Sequence, residues 1–274
     1  MTLIDTQPVL QPRKVGSNRS PQRAGPPTIE GRVRIRLLTY NILFGQRWPE
    51  IRDLIRRVDP DVICLQEVPA DDYPLPVITP AAAILRDFPW PHACHILWTD
   101  GPRRVANMTL VRDDGEHRGD LGPSRILAVG GQQPYAISNV VTCRGSRFEV
   151  VNVHLTPMLG PPLLAFPFSE VLRFREALHL NRHADGAATP VVAAGDFNSF
   201  RGAPACLALF RRWADCRARR KSGSFGTRAT YGIPFVIDHV LLRGDARAEG
   251  YEVLDCAASD HRPIVTEISV PTGE

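Results

Sequence analysis

The first regular pattern along the chain is an alternation. Val33, Ile35 and Leu37 are interleaved with Arg32, Arg34 and Arg36, and a period of two puts the three apolar side chains on one face of a half-buried strand. That strand runs on into Thr39-Tyr40-Asn41, so an amide stands at its end. The period then changes. Pro49 is followed by Ile51, Leu54, Ile55 and Val58 at helical spacing, and Asp59-Pro60 stops the helix. Proline suits such a first turn because the N–H it lacks would have no partner there. Asp61–Val68 is an apolar run that closes in Gln66-Glu67, which predicts a buried strand with a carboxylate at its end. Further strands are predicted over His95–Trp98, Val105–Arg112, Tyr135–Cys143 and Phe148–Leu155. Turn signals stand at Asp113-Asp114-Gly115 and Arg144-Gly145-Ser146.

In the last of these strands Asn152 and His154 share a face. Pro157–Phe168 is apolar but interrupted by proline, which predicts an irregular loop, either packed over the sheet or lying as an apolar lid beside a site. Ser169 then reads as the cap of a helix carrying Val171, Leu172, Ala177, Leu178 and Leu180 and ending near Asp185-Gly186. Val191–Ser199 is an apolar strand ending in Gly195-Asp196-Phe197-Asn198, where Asp196 and Asn198 fall on one face and Phe197 on the other. Pro204–Trp213 predicts a helix, Phe235–Leu242 a strand with Asp238 inside it, and Ile264–Ile268 a last strand after Ser259-Asp260-His261-Arg262-Pro263. Strands and helices thus mix in an α/β pattern. No repeat or linker interrupts residues 32–270, which read as one domain. Residues 1–31, with Pro8, Pro12, Pro21, Pro26 and Pro27 and no apolar core, read as a disordered tail and not as a signal peptide.

Composition changes this picture little. Of 274 residues, 43% are apolar, enough for a core that needs no staple. A net charge of +4 permits an anionic substrate without announcing a nucleic-acid binder. The six cysteines lack any paired metal-ligand spacing, which predicts a reducing, cytoplasmic compartment and no zinc site. No stretch approaches the roughly 18 apolar residues of a membrane span. The chemistry is carried by amides, carboxylates and histidines beside strands: Asn41, Glu67, His154, Asp196, Asn198, Asp238, Asp260 and His261. Oxygen donors without thiolates suit Mg²⁺ or Mn²⁺, and histidines beside carboxylates suit protonated donors to a phosphate oxygen. No triphosphate-binding loop, zinc helix or nucleophile elbow is present. Metal-assisted attack of water on a phosphate ester fits this inventory.

Six segments in order carry a resemblance. They are Thr39-Tyr40-Asn41, Leu65-Gln66-Glu67-Val68, Asn152-Val153-His154-Leu155, Gly195-Asp196-Phe197-Asn198, Ile237-Asp238-His239 and Ser259-Asp260-His261-Arg262-Pro263. Together they resemble the endonuclease/exonuclease/phosphatase superfamily, which includes deoxyribonuclease-I-like and exonuclease-III-like enzymes; Thr230–Pro234 resembles its bacterial-type branch. The resemblance implies a four-layer α/β/β/α sandwich of two packed mixed sheets flanked by helices, with the site at one edge of both. It implies Glu67 as the principal metal ligand, with Asn41 beside it and Asp260 near the metal. Asp196 would orient or deprotonate the attacking water, and Asn198 would hold the phosphate or that water. His261 would donate to a non-bridging oxygen, Asp238 would hold its ring, and His154 would clamp phosphate or protonate the leaving group.

Substrate choice lies in loops, mainly 69–80, 157–168 and 217–234, because the catalytic core serves many esters. The basic run at 217–221, with Arg219 and Arg220 as candidate substrate contacts beside Asn152, favours nucleic acid and hence a nuclease-type phosphodiesterase. The apolar 157–168 segment favours instead a lipid head-group or a membrane surface, and so a sphingomyelinase-type enzyme; an inositol-phosphate phosphatase is the other family alternative. A catalytically idle phosphate-binding module is the reading from a different class, although no motif residue is missing. No obligate protein partner is evident.

Overall fold

The computed structural model describes residues 28–29, 31–71, 79–101, 103–113, 118–158, 162–219, 226–230 and 233–273. The chain first lays down β1 (Thr28–Ile29), β2 (Arg32–Asn41), helix α1 (Trp48–Val58), β3 (Val62–Pro69), α2 (Ala81–Asp87), β4 (His92–Asp100) and β5 (Arg103–Val111). It then crosses to a second sheet through β6 (Gly119–Leu121), β7 (Arg125–Ala128), β8 (Pro134–Cys143), β9 (Ser146–His154), α3 (Pro162–Asp185), β10 (Val191–Asp196), α4 (Pro204–Phe210) and β11 (Ala214–Asp215). A ribbon of β12 (Arg228–Thr230) and β13 (Ile233–Phe235) precedes β14 (Asp238–Arg243), which returns to the second sheet. The first sheet is completed by β15 (Arg247–Val253) and β16 (Ile264–Pro271). Each large sheet has seven strands, ordered β15-β16-β2-β3-β5-β4 with β1 on β2, and β11-β14-β10-β9-β8-β6 with β7 on β8.

Period two sorts the core into layers. Val33, Ile35 and Leu37 of β2 pack with Val62 and Cys64 against Val150, Val192, Ala194 and Val240 of the other sheet. Leu38 and Tyr40, on the opposite face of β2, meet Ile51, Leu54 and Ile55 of α1. On the far side Val151, Val153, Val191 and Ala193 meet Ala177 and Leu180 of α3 and Leu209 of α4. The order of layers is therefore α/β/β/α. All six cysteines are free thiols, and no helix among the described residues is long and apolar enough to cross a membrane.

Strand direction decides where the site lies. β2 and β3 run parallel, as do β9 and β10, so Asn41, Gln66-Glu67, His154 and Asp196 all arrive at C-terminal strand ends. β14 and β16 run antiparallel to β10 and β2, so their entry residues, Asp238 and those just before Ile264, reach the same rim. An Asn41 Nδ2 to Asp196 Oδ2 hydrogen bond of 3.2 Å joins the two sheets there.

Three expectations are corrected. The segment read as an irregular loop capped at Ser169 is helical from Pro162, and Ser169 is a buried residue inside α3. Pro162 opens the helix where no N–H is needed, and Pro167 costs a single early rung while keeping a helical φ. Phe235–Leu242 is not one strand: β13 ends at Phe235 and β14 begins at Asp238. The Ile237 and Asp238 N–H groups turn aside to the Thr227 hydroxyl, each at 3.1 Å. Of the residues read as tail, Thr28 and Ile29 pair with Val33 and Arg32 across a turn at Gly31; residues 1–27 and 30 lie outside the described residues.

Candidate active site

The rim residues converge on Asp196, which is 1% exposed. Its Oδ1 accepts the Asn198 N–H at 2.8 Å. Its Oδ2 accepts from Asn41 and faces His261 Nε2 at 3.5 Å and His154 Nε2 at 3.7 Å. Behind His261, Nδ1 meets both carboxylate oxygens of Asp238 at 2.9 and 3.0 Å. Burial would push the His261 imidazolium down, but the carboxylates of Asp238 and Asp196 outweigh it and lift the ring to about 10. Burial likewise opposes ionisation of Asp196, yet His261, His154 and the Asn198 N–H hold its carboxyl below the usual range. Asp238 is pushed up by burial and by the Asp196 charge, more than His261 pulls it down. The result is an imidazolium between two carboxylates, with His261 Nε2 aimed at the one on the rim.

Backbone geometry serves the same point. Gly195 has φ +148, and a Cβ there would lie 1.9 Å from the Val153 carbonyl oxygen, so β10 approaches β9 as only glycine allows. Glu67 and Asn198 stand at φ 56 and 47, a conformation that side chains rarely adopt and that gathers at functional positions. At Glu67 the cause is a register shift of β3 against β5 between Leu65 and Val68. The bulge turns consecutive side chains apart: Gln66 is fully buried, while Glu67 reaches the rim, where its Oε1 accepts from Asn41 Nδ2 at 3.0 Å.

The sequence-derived site residues separate into groups. Asn41, Glu67, His154, Asp196, Asn198, Asp238 and His261 come together at the rim. Asn198 donates from Nδ2 to the Leu155 carbonyl at 3.1 Å, tying the ends of β9 and β10 to each other. Asp260, next to His261, turns its carboxylate to Arg228 at 3.0 Å. Asn152 is not at the rim: it is fully buried. Its Oδ1 accepts from Gln66 Nε2 and Asn107 Nδ2, and its Nδ2 donates to the Leu65 and Met108 carbonyls. Its amide is spent between the sheets, so the expected substrate contact is corrected to an inter-sheet brace. Arg219 is exposed at the end of a short 3-10 turn; Arg220 lies outside the described residues.

For a divalent cation, the oxygen-only donor set at Glu67 and its neighbours fits a hard ion. Asp196, Asp238 and His261 have ligand atoms within 4.8 Å of one another, but a protonated, doubly paired His261 has no lone pair to give. The residues that fit a cation are thus Glu67 and the rim side of Asn41, whose Oδ1 accepts the Leu43 N–H at 3.2 Å.

Several residues were missed from sequence. Thr227 fixes the start of β14, and Arg228 forms a bridge pair with His261. Buried His239, whose ring is pushed down by burial, contacts the Ser199 carbonyl at 3.1 Å behind the site. Glu170, Arg173 and Glu176 of α3 are buried beside the loops that leave β9 and β10. A polar residue in a strand announces itself among apolar neighbours; charged residues on a helix read as a solvated face.

The family model described as the endonuclease/exonuclease/phosphatase family matches residues 38–261. No curated protein matches the chain. Among solved structures, an endonuclease/exonuclease/phosphatase from Bacteroides vulgatus is similar with TM-score 0.68 and 16% identity, over 87% of this chain and 99% of that one. The human Nocturnin catalytic domain with bound sulfate anion gives 0.64 and 18%, over 86% and 94%. A 3' phosphatase from Neisseria bound to product DNA hairpin gives 0.59 and 18%, over 85% and 98%. At these identities the likeness shows the fold.

Proposed function

We propose a reaction and a substrate from one premise: the chain belongs to the endonuclease/exonuclease/phosphatase family, whose members hydrolyse phosphate esters. The finer reading is a Mg²⁺- or Mn²⁺-assisted phosphodiesterase acting on nucleic acid. The observation that carries the chemistry is the pairing, at one rim, of an ionised buried carboxylate on Asp196 with an imidazolium on His261. Asp196 orients water and takes its proton. His261 donates from Nε2 to a non-bridging phosphate oxygen as charge builds there, and Asp238 keeps the ring protonated and in place. His154, on the other side of Asp196, meets the leaving oxygen or a second phosphate oxygen. A divalent cation at Glu67, when bound, supplies Lewis-acid polarisation of the phosphoryl group.

Two features support a polynucleotide. Phe200 and Arg201, at 40% and 64% exposure, stand two and three residues after Asn198. One face of Phe200 stacks on Phe166 and Arg201 lies 4.0 Å from Asp215; a partly exposed aromatic beside a cation suits a base and its phosphate. The Neisseria neighbour was captured with DNA. The test is turnover on plasmid DNA, single-stranded DNA, RNA, an inositol polyphosphate and sphingomyelin, with Mg²⁺ or with chelator. Cleavage of polynucleotides alone, abolished by chelator and restored by Mg²⁺ or Mn²⁺, is expected. Turnover surviving exhaustive chelation would remove the metal from the reading. Silence on every substrate by a chain that still binds phosphate would favour an idle binding module.

A further inference from the structure

Helix α3 carries three charged residues on its inner face at helical spacing, Glu170, Arg173 and Glu176, with 4%, 2% and 0% exposure. Arg173 Nε donates to the Thr156 carbonyl at 2.7 Å, and its Nη1 pairs with Glu170 Oε2 at 3.2 Å. The other end of Glu170 accepts the Ser199 hydroxyl at 3.1 Å and the Ala205 N–H at 2.8 Å. Glu176 accepts the Thr156 N–H at 3.0 Å and its hydroxyl at 2.5 Å. Thr156 lies just beyond His154 on the loop leaving β9, and Ser199 follows Asn198 on the loop leaving β10. Among the described residues, the groups these carboxylates and the guanidinium hold, apart from one another, belong to the segments just behind the site or to the start of α4.

We infer that Glu170, Arg173 and Glu176 form a buried positioning cluster that sets His154 and Asn198 against Asp196. The inference rests on the phosphoesterase reading of that site. A buried ionic cluster of this kind is a poor way to gain stability, because desolvation of three charges offsets most of their attraction. What it delivers is directed, short hydrogen bonds to one loop carbonyl, one loop N–H and two hydroxyls, which apolar packing cannot supply. The cost of that burial is visible at Glu176, whose carboxyl is pushed up to about 7 by burial against the lowering influence of Thr156 and Arg173.

The test removes both ends of the ion pair together: Glu170→Gln with Arg173→Met. The double variant is expected to stay folded and to lose kcat by about tenfold to a hundredfold, the scale of a slight misplacement of reacting groups, while KM changes less than about threefold. Arg173→Lys, which can pair with Glu170 without the guanidinium fork, is expected to recover part of kcat. In a His154→Ala background the same double change should cost less than it does in the wild-type chain, since one of the two groups it positions is gone. A full multiplicative loss there, or wild-type kcat in the folded double variant, overturns the inference. Hydrogen exchange, which needs no turnover, gives a separate readout. The amide of Ala205, which loses its charged acceptor Glu170, should exchange faster in the double variant, and unchanged exchange there also overturns the inference. A wild-type chain inactive on every phosphate ester would fault the proposed function and leave this exchange result standing on its own.

Discussion

At the scale of single residues, Gly195 and Asp196 make opposite demands. Gly195 matters for what it lacks: with φ +148 and the Val153 carbonyl 1.9 Å from where a Cβ would stand, Gly195→Ala drives an atom into the backbone of β9. The expected cost is roughly 4 kcal/mol or more, in the range reserved for backbone incompatibility, read as a lowered urea midpoint. A midpoint equal to wild type would mean that β9 and β10 are free to separate. Asp196 matters for its charge. Asp196→Asn keeps the shape and the Asn198 N–H contact but removes the proton acceptor, and kcat is expected to fall by roughly 10²- to 10⁴-fold with the fold intact by circular dichroism. These two neighbours were both legible, because an apolar run that ends in Gly-Asp marks a strand reaching an edge. The left-handed backbone of Glu67 and Asn198 was not legible, since it follows from a bulge and a turn that only the partner strands impose.

At the scale of elements, β2, β3, β9 and β10 were readable from period and run length, whereas α3 was read only in part. Of the apolar positions read for it Ala177 and Leu180 are buried, yet Val171 and Leu178 are 59% and 40% exposed, and Glu170, Arg173 and Glu176 are buried as well. Pattern reading assumes that charge seeks water; here the two loops behind the site offer partners that water would otherwise provide. This burial has a consequence for stability. Glu176 is 4.5 in its ordinary state and about 7 when folded, so between these values the folded chain binds more protons than the unfolded one. Its sign is therefore a stability that decreases as pH rises from about 4.5 to 7 and stays reduced above. The charged group facing it is Arg173 on its own helix; the neutral Tyr135 phenol faces it from β8 and Thr156 from the loop. Glu176→Gln should flatten that segment of the curve in urea titrations at stepped pH. An unchanged slope would show that Glu176 ionises in the folded chain as it does in the unfolded one.

At the scale of the whole molecule, the layered architecture and the gathering of six sequence segments at one rim follow from strand direction, which no local pattern encodes. The family resemblance carried that part. What holds the two sheets in register near the site is a polar layer inside an otherwise apolar interface: Asn152 accepts from Gln66 and Asn107 and donates to the carbonyls of Leu65 and Met108. From sequence, an amide two positions before His154 on the same face looked like a substrate contact; only the second sheet packed across it reveals the brace. The two roles predict different losses. Asn152→Ala strips partners from two side-chain amides and two carbonyls that water cannot reach, which should cost roughly 3 kcal/mol of stability. KM should hold at the wild-type value in the molecules that remain folded, because no substrate atom is touched. A variant with undiminished stability and a raised KM would return Asn152 to the substrate and leave the register of the sheets to the apolar core alone.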